Sequence, residues 1–256
     1  MKNDLLRVLT RTQVFVIALG IIAQLSFVAT IKHYLITGNW GYPRIGWIIP
    51  NQVISFGWLH IPSDALITYH LISSYCLYLG MLFQFCLMLF LKRNIAVIRI
   101  HRALGSLIIF LALPFFLVLS LVLVGFLIHN PINKLLFSIV PILIAYGLVK
   151  GFLAAQHDKK ECHVDGMFLA LVLMNTASVF RILIGILFLI GIPTQYLFSN
   201  GEPNHIAALG RTILMILILM IGFKSSGRIT KNKLPIYVLV TASLLAFFIH
   251  LSSMYG

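Results

Sequence analysis

Long stretches without a single charge limit what this chain can fold into more than any motif does. They run from Thr12 to Ile31, Ala65 to Leu91, Ala103 to Asn133 and Leu135 to Val149, then from Gly166 to Phe180, Ile182 to Gly201, Thr212 to Phe223 and Leu234 to Gly256. A helix needs about 20 mostly apolar residues to cross a bilayer. The first three stretches and the last meet that length alone. Leu135–Val149 reaches Ala155 if Lys150 snorkels its amine to the interface. Gly166–Phe180 joins the next stretch across Arg181, and Arg211 is absorbed into a helix near 205–223. The pattern predicts an all-α polytopic membrane protein with seven transmembrane helices, at about 12–32, 65–91, 103–128, 134–155, 166–191, 205–223 and 234–252. No repeat or charged linker divides it, so residues 1–256 read as a single integral membrane domain.

Composition carries the same message. Only 10% of the residues are charged, against 60% hydrophobic, and the mean hydropathy is +1.02. A soluble domain needs about 25% charged residues to clothe its surface. A secreted disulfide scaffold, a disordered tail and a nucleic-acid module are therefore excluded. The net charge of +13 does not point to nucleic acid, because the cations lie in short segments between apolar runs with no basic–aromatic interleave. The partners implied are the lipid bilayer and an anionic lipid or small-molecule ligand; oligomeric state is not encoded. Cys76 and Cys86 share one apolar run and Cys162 lies in a charged loop, so no structural disulfide is expected.

Lys and Arg also set an orientation. Lys2, Arg7 and Arg11, then Lys92, Arg93, Arg99 and Arg102, then Lys150, Lys159 and Lys160, then Lys224, Arg228, Lys231 and Lys233 hold 14 of the 19 cations. They fall in alternate segments, which predicts a cytoplasmic N-terminus and an external C-terminus in a bacterial inner (plasma) membrane. Trp40, Trp47 and Trp58 all fall in the external 33–63 loop, where indoles favour the bilayer interface. The same aromatic content could instead cover a site, the lesser of the two readings.

Charged side chains in mid-membrane cost about 2.5–3.5 kcal/mol on insertion scales and mark function by default. Arg181 and Arg211 fall inside predicted spans, in the same leaflet as His70, with His205 and His250 at the outer ends of the last two spans. No intramembrane carboxylate is expected to neutralise them. An outward-facing pocket of His70, Gln84, Arg181, His205, Arg211 and His250 is therefore the first candidate site, receiving a lipid phosphate, a carboxylate or cofactor propionates. The plainer alternative is that each arginine snorkels separately or bonds helix-end carbonyls. His70, Ser73, Ser74 and Gln84 share one helical face, and Asn175, Ser178 and Arg181 step by three along another. Such residues also serve simply to join helices.

A second cluster falls on the cytoplasmic side: His101, Arg102, His157 and His163. The spacing of His157, Cys162 and His163 matches no standard zinc pattern.

From His70 to about Ile190 the chain resembles a bacterial family of multi-pass membrane proteins, the domain-of-unknown-function family numbered 2306. The carriers are His70, Gly80 and Gln84 on one span, His101-Arg102-Ala103-Leu104-Gly105 opening the next, then His157, His163 and Arg181. Where the fuller pattern has His-Arg-x-Trp-Met, this chain has His163-Val164-Asp165-Gly166-Met167. The resemblance implies an architecture and a choice of residues, and no activity.

Histidines on neighbouring helices invite haem b, ligated axially by neutral imidazoles. No span carries the two histidines 13–14 apart of a two-haem core, which leaves one haem, on His70 with His129, His205 or His250, or on His101 with His163. A transition metal on His70, His205 and His250 is the other cofactor reading. A retinal protein is excluded, since the last span has no lysine, and no Gly-x-Ser-x-Gly elbow supports a nucleophile. The expectation is redox or metal/haem-dependent chemistry on a membrane-associated or anionic ligand. The alternative is a non-catalytic role in transport, lipid binding, assembly or immunity.

Overall fold

The computed structural model describes residues 9–38, 41–42, 47–48, 53–56, 59–90, 95–192, 198–199 and 202–255. Within these, side chains are described except at 26–30, 41–42, 47–48, 56, 59, 88–90, 188, 198–199, 202–203, 205 and 250–255. The chain is helical. Helices α1 (Arg11–Ala23) and α2 (Leu25–Thr37) precede two small antiparallel hairpins, β1 (Gly41–Tyr42) with β2 (Trp47–Ile48) and β3 (Val53–Phe56) with β4 (Leu59–Pro62). Then come α3 (Ser63–Phe90), α4 (Ile95–Leu107), a π-helical turn at Ile108–Ala112, and α5 (Leu113–Leu127). They are followed by α6 (Pro131–Gln156), α7 (Lys160–Met174), α8 (Thr176–Leu189), a last hairpin of β5 (Phe198–Ser199) and β6 (Glu202–Pro203), α9 (His205–Ser225) and α10 (Lys233–Tyr255).

Among the described residues, four helical runs are long and apolar enough to cross a membrane: α3, the continuous α4–α5 run from Ile95 to Leu127, α6 and α9. A fifth arises if α7 and α8, bent by 41° at their junction, are taken together. Large apolar side chains such as Phe15, Phe110, Val118, Ile186 and Phe248 stand exposed on these helices. Helices that are apolar all round call for lipid rather than water as their surroundings.

Two expected straight spans are broken. The first, at 12–32, divides at Gln24 between α1 and α2, and the fifth, at 166–191, divides at Asn175 between α7 and α8. Neither break is at a proline. At Asn175 the side-chain Nδ2 donates to the Leu171 carbonyl at 2.7 Å, and the Thr176 hydroxyl donates to the Leu173 carbonyl. Side chains that satisfy the carbonyls of the last turn free the backbone to change direction. The two breaks also hold each other, because Gln24 Nε2 donates to Asn175 Oδ1 at 2.7 Å. Gly20, one turn before, leaves the room, since a Cβ there would lie 2.8 Å from Asn175 Cγ. The fifth run also starts earlier than predicted, at Lys160, and the third starts at Ile95 rather than 103.

The tightest packing is between α6 and α7. A Cβ on Gly166 would fall 2.7 Å from the Gly151 backbone nitrogen and 2.8 Å from its Cα, and one on Gly147 would fall 2.9 Å from the Gly166 carbonyl oxygen. Small residues let two backbones meet where no water drives helices together. The core continues from this seam through Leu148, Phe168, Leu171 and Leu219, with Phe168 and Phe223 edge-to-face at 5.5 Å.

Gly166→Ala is expected to destabilise the fold by about 1–3 kcal/mol, the usual cost of overpacking, because rigid backbone is what the new methyl meets. Gly125→Ala and Gly185→Ala, where nothing lies within 4 Å of the new Cβ, are expected to leave thermal unfolding in detergent unchanged or slightly raised.

Candidate functional site

The histidines of α4 and α7 meet. The His101 and His163 rings are 6.0 Å apart between centroids and nearly perpendicular, at 89°. The His163 ring is aimed by a glycine carbonyl. His163 Nδ1 bonds the Gly151 carbonyl oxygen at 2.9 Å, a contact made available by the close α6–α7 seam. A carbonyl only accepts, so the Nδ1 atom carries the proton, and in the neutral ring Nε2 keeps its lone pair. On the other side Gln84 Nε2 donates to the His101 carbonyl at 3.0 Å. Gly105 makes that approach feasible, since its Cβ would stand 3.0 Å from the same Gln84 nitrogen. Gly80 packs similarly against Ile108, a Cβ there falling 3.2 Å from its terminal methyl. Gly80, Gln84, His101 and Gly105 thus share one seam between α3 and the α4–α5 run.

His101, His163 and Gln84 line an open-mouthed cleft whose enclosed space is only about 40 Å³. The remaining lining is apolar, with Leu9, Ile17 and Phe85 among it. Among the described residues no three His, Cys, Asp or Glu side chains come together as a metal cage. Two neighbouring imidazoles are the donor type that a haem iron or a single transition-metal ion takes.

Gln84 was expected with the outer residues. It sits instead at the His101 end of α3, because 14 residues of helix place it about 21 Å from His70 along the axis. Arg102 and His157 are exposed and take no part in the cleft lining. His70 belongs to the α3–α5 interface: its Nδ1 is 3.3 Å from the Ser120 hydroxyl, its Nε2 is 3.5 Å from the Ser74 hydroxyl, and its ring stacks on Phe116. Both hydroxyls also donate to helix carbonyls, at Phe116 and His70. Arg181 reaches its own helix at the Ala177 carbonyl, 3.3 Å away, and lies near Tyr75 of α3. Arg211 is buried against α6, where its Nη2 donates to the Leu136 carbonyl at 3.2 Å. These three side chains occupy different helix interfaces. His205 and His250 lie on α9 and α10, but their side chains fall outside the described residues, and with them the expected metal set of His70, His205 and His250.

The sequence reading missed a buried ionic centre. Asp165, one residue before the apolar run, is 3% exposed, so an interior carboxylate exists after all. Arg228 Nε donates to its Oδ1 at 2.8 Å and Asn232 Nδ2 to its Oδ2 at 2.7 Å. The Lys150 amine joins the same group, donating to Asn232 Oδ1 at 3.2 Å. Arg228 and Asn232, four residues apart in a segment read as a charged loop, were the available signal.

No family model, no curated protein and no solved structure matches this chain.

Asp165→Ala is expected to cost about 3–5 kcal/mol, because it strands a buried guanidinium. Adding Arg228→Met should recover part of that loss. Denaturant or thermal unfolding of the two variants in detergent reads the difference; equal losses in the single and double variants would contradict it.

Proposed function

We propose that this chain is a membrane redox protein in which His101 and His163 hold haem b, or failing that a single transition-metal ion, at one end of the helical bundle. The observation that carries the reading is the pair of imidazoles in contact at an apolar cleft, with His163 fixed through its Nδ1 by the Gly151 carbonyl. Ligating histidines characteristically donate the second ring N–H to a carbonyl or carboxylate, which fixes the tautomer and raises the basicity of the ligating nitrogen. Haem supplies a one-electron couple when bound. His101 and His163 would bind its iron, Leu9, Ile17 and Phe85 would keep water from the site, and Gln84 would hold the His101 helix in place.

The reading includes seven spans, counting α1–α2, α7–α8 and α10 as crossings, with the N-terminus in the cytoplasm and the C-terminus outside a bacterial inner membrane. The charge asymmetry supports it. Membership of the family numbered 2306 is part of the same proposal, supported by the joint placement of Gly80, Gln84, His101 and Gly105. A non-catalytic transport role is the second reading; the specific observation favouring it is the pair of helix breaks bonded to each other at Gln24 and Asn175, since discontinuous helices near the bilayer midplane build many transporter sites.

The test is a reduced-minus-oxidised absorbance spectrum of haem-supplied, detergent-purified protein. Sharp Soret and α bands are expected, lost in His101→Ala and in His163→Ala and kept in His70→Ala. A featureless spectrum together with no bound transition metal would sink the redox reading and leave transport standing. A C-terminal reporter active only outside the cytoplasm is expected from the topology; activity inside would overturn the seven-span count or its orientation.

A further inference from the structure

Arg211 is the least compensated charge among the described residues. It is 2% exposed, yet of its five N–H donors Nη2 meets the Leu136 carbonyl, and Nε is buried without a hydrogen-bond partner among the described residues. Its guanidinium lies 3.9 Å from the centroid of Phe137 and 5.9 Å from that of Phe180. The ring faces favour a cation but offer no counter-charge. The two described ion pairs are elsewhere, with Asp165 committed to Arg228 and Glu161 to Lys231. Leu136 and Phe137 belong to the second turn of α6, whose start at Asn130–Pro131 is the positive pole of a 26-residue helix. Asn133, 1% exposed, lies one turn nearer that pole. Asn130 Oδ1 caps the Ile132 and Asn133 N–H groups at that start, so Arg211 itself is what stands out: a desolvated cation at the opposite end of α6 from the His101–His163 cleft, where a charge without a counter-charge is costly.

We propose that Arg211 anchors a binding site for an oxyanion, a phosphate ester or carboxylate group, where α6, α8 and α9 meet. The planar guanidinium fork matches two oxygens of one anion, and Phe137 fixes its plane. A lipid headgroup and a free anion share this chemistry.

The test compares thermal unfolding of the purified protein in neutral detergent with added phosphatidylglycerol, phosphatidylcholine or inorganic phosphate. Phosphatidylglycerol is expected to raise the midpoint by several degrees over phosphatidylcholine. A matching rise with inorganic phosphate identifies a free anion as the source, and its absence identifies the headgroup. Arg211→Gln is expected to weaken the half-saturating concentration at least about tenfold, and Arg211→Lys, which keeps the charge but loses the fork, to weaken it less. Glu202→Gln is expected to leave it unchanged. The proposal is overturned if the wild type responds to neither anion beyond the neutral lipid, or if both Arg211 variants respond as the wild type does. It is also overturned if binding emerges only in Glu202→Gln, which would mean that the arginine is already paired within the chain.

Discussion

The backbone contact between α6 and α7 is what the rest of the arrangement depends on. At Gly147 and Gly166 the two helices approach until no Cβ fits between them, and at Gly151 one would be tight. Apolar side chains gain little by leaving lipid for one another, so helix association there rests on close packing and polar contacts. Closeness at this seam has two further effects. It brings the Gly151 carbonyl within reach of His163, and it buries Asp165, the residue just before Gly166, on the side of α7 that meets Arg228 and Asn232. One packing feature thus orients a ring and encloses an ion pair.

Polar side chains in the interior mostly donate to backbone carbonyls of their own helices, and this bears on the helix shapes. Asn175 and Thr176 satisfy carbonyls of the turn before them, and Gln24 closes the remaining acceptor of Asn175. Breaking two helices at a shared point leaves fewer stranded groups than breaking either alone, since every unpaired polar atom in hydrocarbon costs several kcal/mol. The same arithmetic makes Arg211 conspicuous. Lys150 and Arg228 found partners inside the chain, whereas Arg211 has one carbonyl and two aromatic faces.

The helical class and the long apolar runs were legible because charge placement is a one-dimensional signal. The His101–His163 meeting was legible only as one option among several, since sequence gives the end of the membrane a residue occupies but not the face it turns to its neighbours. Gln84 shows the limit: sharing a helical face with His70 says nothing of the 14 residues that separate them along the axis. Asp165 was missed because it sits at the boundary of an apolar run, where loop and helix start look alike. The breaks at Gln24 and Asn175 were missed because the apolar runs continue through both, and the bond that joins them is between residues 151 positions apart. Neither amide on its own predicts a bend.

The central claim is that His101 and His163 ligate one redox centre. The most direct measurement is electron–nuclear double resonance on the oxidised, loaded protein carrying ¹⁵N-labelled histidine. Hyperfine coupling from two directly bound imidazole nitrogens, one of them lost in His163→Ala, is the predicted result. A paramagnetic centre with no coupled histidine nitrogen, or couplings that persist in both His101→Ala and His163→Ala, would contradict the account.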